Sequence, residues 1–511
     1  MSLPERLPPL NDPKSSMWID EAIWGHRLYD EQSPWLIYLE FLNILAHEIE
    51  ENRAFEEAGY NSLKYYPHKR LNLRNILFNN PKIENILTVS TNDSDRWNTW
   101  FNEMKKNPNV QTDDFGYLKN HFRSFEDFCH IVAILQSTSL EMNSNKRWTS
   151  KFVFPYGVDC LYEDLDKNGK TNDRRFFGRT GEILYLMLCR SKKKDELLLA
   201  LKKKILNSEI SYWNKIVKCL QPKGKDLDRS LRTNSFLPYI HHHCYNDLAE
   251  DWLHILSLDM PGYDMLPFIV NLSGFHIIKY LLDVSNKILM NISPVSMVCE
   301  IVAPKKTLVR EISWALYQKN NSLPLQAVEK YISGIKESQE WKQAVAGNDP
   351  FIQCFELLQK KVIWPKDDSY DGPNIPENLI GDLKVAAIKR HRQHVGNVHR
   401  TYGKDIGLVS KRSTNKLRYA PNDNFLKTII FSNVSKRMEL NHFLDLIESR
   451  YGLIFGGKQA EKIIASNDFD KKAFQANSQR LEQRLFSLGL LHRLSDGCAY
   501  IINPYFPRQR I

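Results

Sequence analysis

The sequence predicts a mainly α-helical protein of several domains with a winged-helix-like module in its C-terminal part. Apolar residues recur at helical spacing through most of the chain, and strand-like alternation is limited to short runs. At 511 residues the chain is too long for one ordinary hydrophobic core. Its 42% hydrophobic and 25% charged residues are typical of a globular protein and unlike a disordered or collagen-like chain.

Helix signals dominate the pattern. Ser33 supplies an N-cap residue and Pro34 a proline at the first helical position. Further helices are predicted at Gly116–Ser139, Gly181–Arg190, Lys194–Leu220, Asn246–Leu258, Pro267–Leu289, Thr307–Lys319, Leu325–Lys336, Pro350–Lys361 and Glu377–His391. Strand-like runs are short, as at Lys151–Phe154 and Cys498–Asn503.

Two polar loops mark candidate domain boundaries. The loop "QPKGKDLDRSLR" at Gln221–Arg232 separates two helical blocks, and "WPKDDSYDGPNIP" at Trp364–Pro376 is rich in Pro, Asp and Gly. The sequence therefore predicts an N-terminal α-rich domain over residues 1–222 and a central helical domain over 223–363. A basic connector over 364–420 and a winged-helix-like domain over 421–511 follow.

The cysteine pattern indicates a reducing compartment. The eight cysteines are scattered and include no CxxC pair, which argues against a disulfide framework or a zinc ribbon. The first residues, MSLPERLPPL, lack the basic start and apolar core of a signal peptide. Polar residues and a proline interrupt the most apolar stretch, Met265–Leu282, so it predicts a buried helix. We expect a cytoplasmic protein with no membrane contact.

Most of the net charge of +10 is concentrated in the segment from Lys384 to Arg418. Ten basic residues lie there, opposed only by Asp405: Lys384, Lys389, Arg390, Arg392, Arg400, Lys404, Lys411, Arg412, Lys416 and Arg418. Concentrated positive charge favours a nucleic-acid partner, because each neutralised phosphate releases counterions. The alternative is a solvated linker with no partner.

The C-terminal segment predicts helices followed by a hairpin. Two helices are expected at Asn424–Val434 and Lys436–Arg450, and "YGLIFGG" then turns the chain into a short helix. A long helix follows at Lys471–Leu488, and Asp496-Gly497 provides the turn of a β-hairpin. Three helices and a hairpin are typical of a winged helix, whose last helix can enter a major groove.

The long helix is amphipathic. Phe474, Leu481, Leu485 and Leu488 share the arc that faces the core, whereas glutamines and an arginine cover the other side. Glutamine can pair with adenine and arginine with guanine, which suits base edges. Glu482 would oppose phosphates, and such modules also dock proteins. The predicted DNA-contacting residues are Lys389, Arg390, Arg392, Arg400, Lys404, Lys411, Arg412, Lys416, Arg418, Gln475, Gln479, Arg480 and Gln483.

A histidine-rich stretch, "IHHHCYNDLAEDW", is a weak metal candidate. His241, His243 and Cys244 offer ligand atoms, but adjacent residues do not readily converge on one tetrahedral ion. The favoured alternative is a loop that caps a helix beginning near Asn246. We therefore predict no metal and no cofactor.

Other motif-like stretches are better explained structurally. "GLIFGGKQ" lacks the Ser or Thr that a phosphate-binding loop needs after its lysine. "DLDKNGKTNDRR" places an arginine where a calcium loop needs glutamate. The polar stretch "WGHRLYDEQ" favours an ion-pair network over a hydrolytic site. "RRFFGRTGE" favours a helix cap over an anion site.

Four phrases taken together resemble a known kind of protein: "WIDEAIWGHRLYDEQSPWLIYLEFLN", "DRRFFGRTGEILYLML", "LAEDWLHILSLDMPGYDMLPFIVNLSGFHIIKYLL" and "RLFSLGLLHRLSDGCAYIINPY". They resemble the accessory subunit of methylation-associated systems in bacterial anti-phage defence islands. The resemblance implies a cytoplasmic bacterial protein that works with a methyltransferase and a large ATPase on foreign DNA. These phrases are structural, so no catalytic residue is carried over.

These observations favour a non-enzymatic subunit of a defence complex that contacts duplex DNA through the basic connector and the winged helix. Two alternatives stay open. One is a metal-dependent nuclease with a site at the N-terminal polar cluster or the histidine-rich loop. The other is a protein scaffold whose winged helix docks the defence ATPase.

Overall fold

The structure is a computed structural model, and it confirms a mainly α-helical protein. Helices make up 65% of the chain and strands 6%. Four predicted features lie outside the described residues: Arg412, the strand Lys151–Phe154, the turn residues Asp496 and Gly497, and the stretch "DLDKNGKTNDRR" at Asp164–Arg175. The described residues are 19–26, 28–56, 63–68, 70–78, 80, 83–108, 110, 114–137, 157–161, 179–207, 211–223, 231–232, 235–304, 306–365, 370–411, 416–464, 470–495 and 498–507.

The elements follow one another along the chain. The first ten helices are α1 (Ile19–Trp24), α2 (Pro34–Glu50), α3 (Leu71–Phe78), α4 (Ile83–Val89), α5 (Asp93–Lys106), α6 (Phe125–Ser137), α7 (Thr180–Cys189), α8 (Lys194–Lys204), α9 (Tyr212–Cys219) and α10 (His243–Ser257). The next are α11 (Gly262–Ile288), α12 (Leu308–Glu337), α13 (Gln339–Val345), α14 (Pro350–Val362), α15 (Pro376–Gln393), α16 (Val395–Asp405), α17 (Asp423–Asn433), α18 (Leu440–Tyr451), α19 (Gly457–Ala460) and α20 (Lys471–Ser487). The strands are β1 (Met297–Val298), β2 (Val409–Ser410), β3 (Arg418–Tyr419), β4 (Arg437–Glu439), β5 (Leu453–Ile454), β6 (Leu491–Ser495) and β7 (Cys498–Ile502).

Several helix boundaries differ from the sequence prediction. The predicted helix Lys194–Leu220 is divided into α8 and α9, because Ser211 caps a new helix by accepting from the backbone N–H of Asn214. Two predicted helices merge into α12, which continues through Pro324. Pro324 and Leu323 are buried, and this packing offsets the roughly 3 kcal/mol that a proline costs inside a helix.

Two hydrophobic clusters make up most of the core. The smaller one joins α3–α6 with α9 around Trp97, Trp100 and Phe128. The larger one runs from Ile19 in α1 to Ile501 in β7 and takes residues from all four predicted segments. The four segments therefore share one core.

Helix α11 lies at the centre of the large cluster. It packs against α2, α10, α12, α16 and α17. By length and composition it is the one helix among the described residues that passes as a membrane span, but 83% of its most apolar window is buried inside the protein. This burial fits the sequence prediction of a core helix.

The segment predicted as a basic connector packs against the core. Its predicted helix Glu377–His391 is confirmed as α15, and α16 is a further helix that the sequence analysis did not predict. Its residues 376–405 form α15 and α16, and apolar side chains alternate with the basic ones at helical spacing. Leu379, Leu383, Val398 and Tyr402 are fully buried in the large cluster. Burial of these side chains fixes both helices against α12 and α11.

The C-terminal region contains a three-stranded antiparallel sheet in the order β4-β7-β6. The predicted helix Lys436–Arg450 begins instead at Leu440, because residues 437–439 pair with β7 as strand β4. Strand β5 pairs in parallel with β1 of the central segment. The element order is thus α17, β4, α18, β5, the four-residue helix α19, α20, β6 and β7, and β5 joins the module to the rest of the protein.

A buried carboxylate on α10 strengthens this junction. Asp251 accepts a hydrogen bond from Tyr451 Oη at 2.8 Å and lies 2.7 Å from His276 Nε2. Arg450 Nη1 lies 2.9 Å from the same carboxylate. Asp251, His276 and Tyr451 are fully buried, so the C-terminal module is bound to α10 and α11 by polar contacts away from water.

A second buried polar cluster lies between α2 and α7. Glu40 accepts hydrogen bonds from Gln32 Nε2 and the Gly181 N–H, both at 2.8 Å. Glu182 accepts from Tyr65 Oη at 2.9 Å and from Arg179 Nε at 2.8 Å. Burial, and then the charge of Glu182, raise the pKa of Glu40 to about 7. This cluster contains the residues that the sequence predicted as a helix cap near Gly181.

We expect Glu40→Gln to change how stability depends on pH. The folded-state pKa is above the ordinary 4.5, so the stabilisation from protonated Glu40 is complete below pH 4.5 and is lost as pH rises through about 7. Between pH 5 and pH 9, the free energy of unfolding of the glutamine variant should therefore rise relative to that of the wild type by on the order of 3 kcal/mol. Urea denaturation at several pH values measures this gain. For the exposed control Glu103→Gln, the difference in unfolding free energy from the wild type should be the same at every pH. The same constancy for Glu40→Gln would contradict the account.

Candidate nucleic-acid interface

Helix α20 is fixed to the body of the protein by its inward side. Phe474, Leu481 and Leu485 are buried, and so is Asn477 among them. The Asn477 side chain donates to the carbonyls of Cys299 and Phe455 at 3.0 Å and accepts from the Ile301 N–H at 2.9 Å. These bonds set the rotation of α20 about its axis and hence which side chains reach solvent.

The outward side of α20 carries the glutamines that the sequence placed there. Gln475, Gln479 and Gln483 are exposed, one turn apart along the helix. Lys471 and Lys472 are also exposed at its N-terminal end. This side of α20 is therefore open to a ligand along its length.

One flank of α20 is held by arginines. Arg480, expected on the open side with the glutamines, is only partly exposed and donates from Nε to the Ile301 carbonyl at 3.3 Å. Arg484 forms a two-pronged ion pair with Asp423 at 2.6 and 2.8 Å, and this hydrogen bonding raises the pKa of Arg484. The sequence analysis did not single out Arg484, although its position one turn after Arg480 was visible.

The other flank faces the hairpin. Arg493 on β6 donates to Glu482 on α20. Glu482 was expected to oppose phosphates, and this ion pair offsets its charge. Because Glu482 and Arg480 lie on opposite edges of the exposed arc, the open side of α20 is bordered by the hairpin on one edge and by residues 299–303 on the other.

A cleft of about 520 Å³ connects α20 with α16. Lys404 of α16 and Arg484 of α20 both line it, together with Asn422, Ser410 and backbone from residues 301–304. The cleft thus brings a cation of the predicted basic segment next to the long C-terminal helix. This is the juxtaposition that a shared binding surface requires.

Helix α16 adds a second cation to this surface. Arg400 and Lys404 are exposed and lie one turn apart, so they share one face of the helix. Arg400 donates to Asn397 Oδ1 at 2.8 Å and keeps the rest of its guanidinium toward solvent. Lys411 is exposed just after β2, which also borders the cleft.

Two of the predicted cations, one on β3 and one on α15, are not available as expected. Arg418 is fully buried and pairs with Glu300, whose other oxygen accepts from Arg310 Nε at 2.9 Å. Arg390 is partly buried and pairs with Glu21 of α1. Lys389 and Arg392 are exposed on α15.

Lys416 is exposed but occupied by neighbours. Its Nζ lies 3.3 Å from Glu311 and 3.9 Å from the ring centre of Trp314. Together with Arg418 and Arg390, it shows that part of the basic segment is neutralised by acids from distant parts of the chain. Of the predicted cations, Lys404 lines the cleft beside α20, Arg400 lies one turn before it on α16, and Lys411 directly follows Ser410 of the cleft.

The histidine-rich stretch is arranged differently from the prediction. Helix α10 begins at His243 rather than near Asn246, and His242 caps it by accepting from the Cys244 N–H at 3.3 Å. Of the three candidates, His241 is exposed and lies outside the group of ligand atoms. His242, His243 and Cys244 place their ligand atoms within 4.8 Å of one another. Asp283 of α11, which the sequence analysis missed, joins them at 3.1 Å from His243 Nε2.

Comparisons of the chain with protein-family models, with curated proteins and with solved structures gave no match.

We expect Arg418→Ala and Lys404→Ala to differ sharply in stability. Removing Arg418 leaves the buried Glu300 with one cation fewer, which should lower the free energy of unfolding by about 3 kcal/mol or more. Lys404 is exposed, so its removal should change that free energy by less than about 0.5 kcal/mol. Chemical denaturation of the two variants tests this difference. If both variants lost the same small amount of unfolding free energy, Arg418 would not be buried as described.

Proposed function

We propose that this chain is a non-enzymatic, DNA-associated subunit of a bacterial anti-phage defence complex, and that it binds duplex DNA with α20 and α16. The observation that carries the proposal is the cleft lined by both Lys404 and Arg484, beside a helix whose glutamine side is open. A helix with its side chains is about 10–12 Å wide and fits a major groove about 12 Å wide.

The topology supports the proposal that residues 423–502 form a winged helix. Apart from the short β5 and α19, the order is helix, strand, two helices and two strands, with the sheet order β4-β7-β6, which is the arrangement such modules have. In this assignment α20 is the helix that enters the groove, and the β6–β7 hairpin is the wing. The exposed Arg437 beside Tyr500, at 5.5 Å from its ring centre, supplies a cation on the sheet.

The chemistry of the surface favours backbone contacts over strict sequence reading. Arg400, Lys404 and Lys411 provide positive charge for phosphates, which position a protein on DNA without selecting a sequence. The glutamines of α20 suit adenine edges, but one helix offers few such contacts. We therefore propose weak sequence preference and strong dependence on salt.

The protein partners are proposed from the resemblance alone. They are a methyltransferase and a large ATPase of the same defence system, as the family likeness implies. In the cytoplasm such a subunit would bring duplex DNA to these enzymes.

A second candidate function is a protein dock on the same module. Phe486 on α20 and Leu494 on β6 are large apolar side chains with 65% and 66% of their surface exposed. Large exposed apolar side chains favour a protein contact. The scaffold that grips an ATPase is therefore the alternative that the surface itself suggests.

We expect Arg400→Ala combined with Lys404→Ala to weaken binding to a fluorescent duplex and to reduce the slope of log affinity against log salt by about 2. Fluorescence anisotropy at several salt concentrations measures both effects. The matched control, Lys336→Ala with Lys342→Ala, removes the same charge from α12 and α13 and should keep the slope. Equal changes in both double variants, or no binding at low salt, would refute DNA binding by this surface.

We expect the variant Phe486→Ala with Leu494→Ala to separate the two candidate functions. If the module contacts DNA, the slope of log affinity against log salt should stay unchanged, because these apolar side chains carry no charge for phosphates. The same variant should lose co-purification with the ATPase if the module is a dock. Wild-type protein that shows no duplex binding but an association sensitive to these substitutions would select the scaffold.

A further inference from the structure

The start of α10 and the C-terminal half of α11 bring three different ligand groups together. His243 and Cys244 lie in the first turn of α10, and Asp283 lies on α11. We propose that His243 Nε2, Cys244 Sγ and an oxygen of Asp283 bind one zinc-type divalent metal ion. This proposal does not depend on DNA binding.

The distances between the three atoms match those around a tetrahedral ion. His243 Nε2 lies 3.1 Å from Asp283 Oδ2 and 3.6 Å from Cys244 Sγ, and the Sγ lies 3.5 Å from the same oxygen. Zinc holds nitrogen and oxygen at about 2.0–2.1 Å and sulfur at about 2.3 Å, which places such ligands about 3.3–3.5 Å apart. Small movements of these side chains would therefore suffice to enclose an ion.

The arrangement differs from a catalytic Cys-His-Asp relay. In a relay, the histidine uses one ring nitrogen for the nucleophile and the other for the carboxylate. Here one atom, Nε2 of His243, lies next to both the thiol and the carboxylate. Convergence on one point is what a metal site needs.

The charges around the site balance for a divalent ion. Metal binding would release the Cys244 thiol proton to solvent, and the resulting thiolate and the Asp283 carboxylate together neutralise a dication, so no net charge would remain on the metal and these ligands. Lys279 Nζ lies 3.8 Å from Asp283, and Lys287 Nζ lies 3.3 Å from His242 Nε2. These lysines would be repelled by an uncompensated dication, which is why the thiolate is necessary.

Access and support differ among the ligands. Half of the His243 side chain is exposed, which gives the ion a route in and leaves room for a water as fourth ligand. Cys244 is buried and held in the first turn of α10. The buried His242 ring stacks on His243 with centres 4.5 Å apart and fixes its orientation.

The ligand set selects the class of metal. Thiolate and imidazole favour zinc and related ions, whereas magnesium and calcium take oxygen ligands. The ion would join the N-terminal end of α10 to α11, the two helices that also carry Asp251 and His276. Its expected role is therefore to hold these helices together.

The test uses the full chain, freed of metal with a chelator and titrated with Co²⁺ and then Zn²⁺. At one equivalent, Co²⁺ should produce the near-ultraviolet absorption of a sulfur-to-cobalt transition. Zn²⁺ should then displace the Co²⁺ and remove this absorption. Cys244→Ser should remove that absorption, and His243→Ala should weaken Co²⁺ binding by at least roughly tenfold. Zn²⁺ should also raise the melting temperature of the wild type but not of Asp283→Asn.

Two controls keep the test decisive. His241→Ala and Cys219→Ser remove a nearby histidine and a cysteine outside the cluster, and both should retain the wild-type cobalt spectrum. His243 is half exposed, so His243→Ala should fold even if Cys244→Ser does not. A wild-type cobalt spectrum without the sulfur band, or an equal loss in His241→Ala, would show that the cluster is only hydrogen-bonded and would overturn the proposal.

Discussion

The buried carboxylate of Asp251 determines how the C-terminal module sits on the protein. It contacts His276 of α11 together with Tyr451 and Arg450 at the end of α18, with no exposure of Asp251, His276 or Tyr451 to water. A buried charge deprived of partners costs several kcal/mol, so these contacts hold only in one arrangement of the helices. The pairing of β5 with β1 acts in the same place and fixes the same orientation.

Because the C-terminal module is anchored in this way, α20 and α16 keep fixed positions on the protein although they lie far apart in the sequence. Asn477 ties α20 to the backbone of residues 299–301, and Arg484 ties it to Asp423 at the start of α17. Because α16 packs on α11 and α12, its exposed cations keep a constant place relative to α20. The rigid relation between two helices, rather than the charge of a flexible arm, is the physical basis of the proposed DNA contact.

Local patterns in the sequence were sufficient for some of these features. The glutamine side of α20 follows from helical periodicity, which depends only on neighbouring residues. The ion pairs of Arg418 and Arg390 do not follow from local periodicity, because their partners Glu300 and Glu21 lie 118 and 369 residues away. Asp283 likewise lies 39 residues from Cys244, so spacing within the histidine-rich stretch gave no sign of it. Helix α15 was predicted at Glu377–His391, but α16 was not, because only a few apolar residues, Val395, Val398 and Tyr402, lie among its polar and basic ones.

The central claim is that the glutamine side of α20 lies against DNA. Site-specific photocrosslinking tests it directly, with a benzophenone side chain placed at Gln479 and, as a control, at the exposed Ile292 in the loop after α11. With a radiolabelled duplex and irradiation, position 479 should form a covalent protein–DNA adduct and position 292 should not. Adducts at 292 but not at 479, or at neither position under conditions where the duplex is bound, would contradict the account.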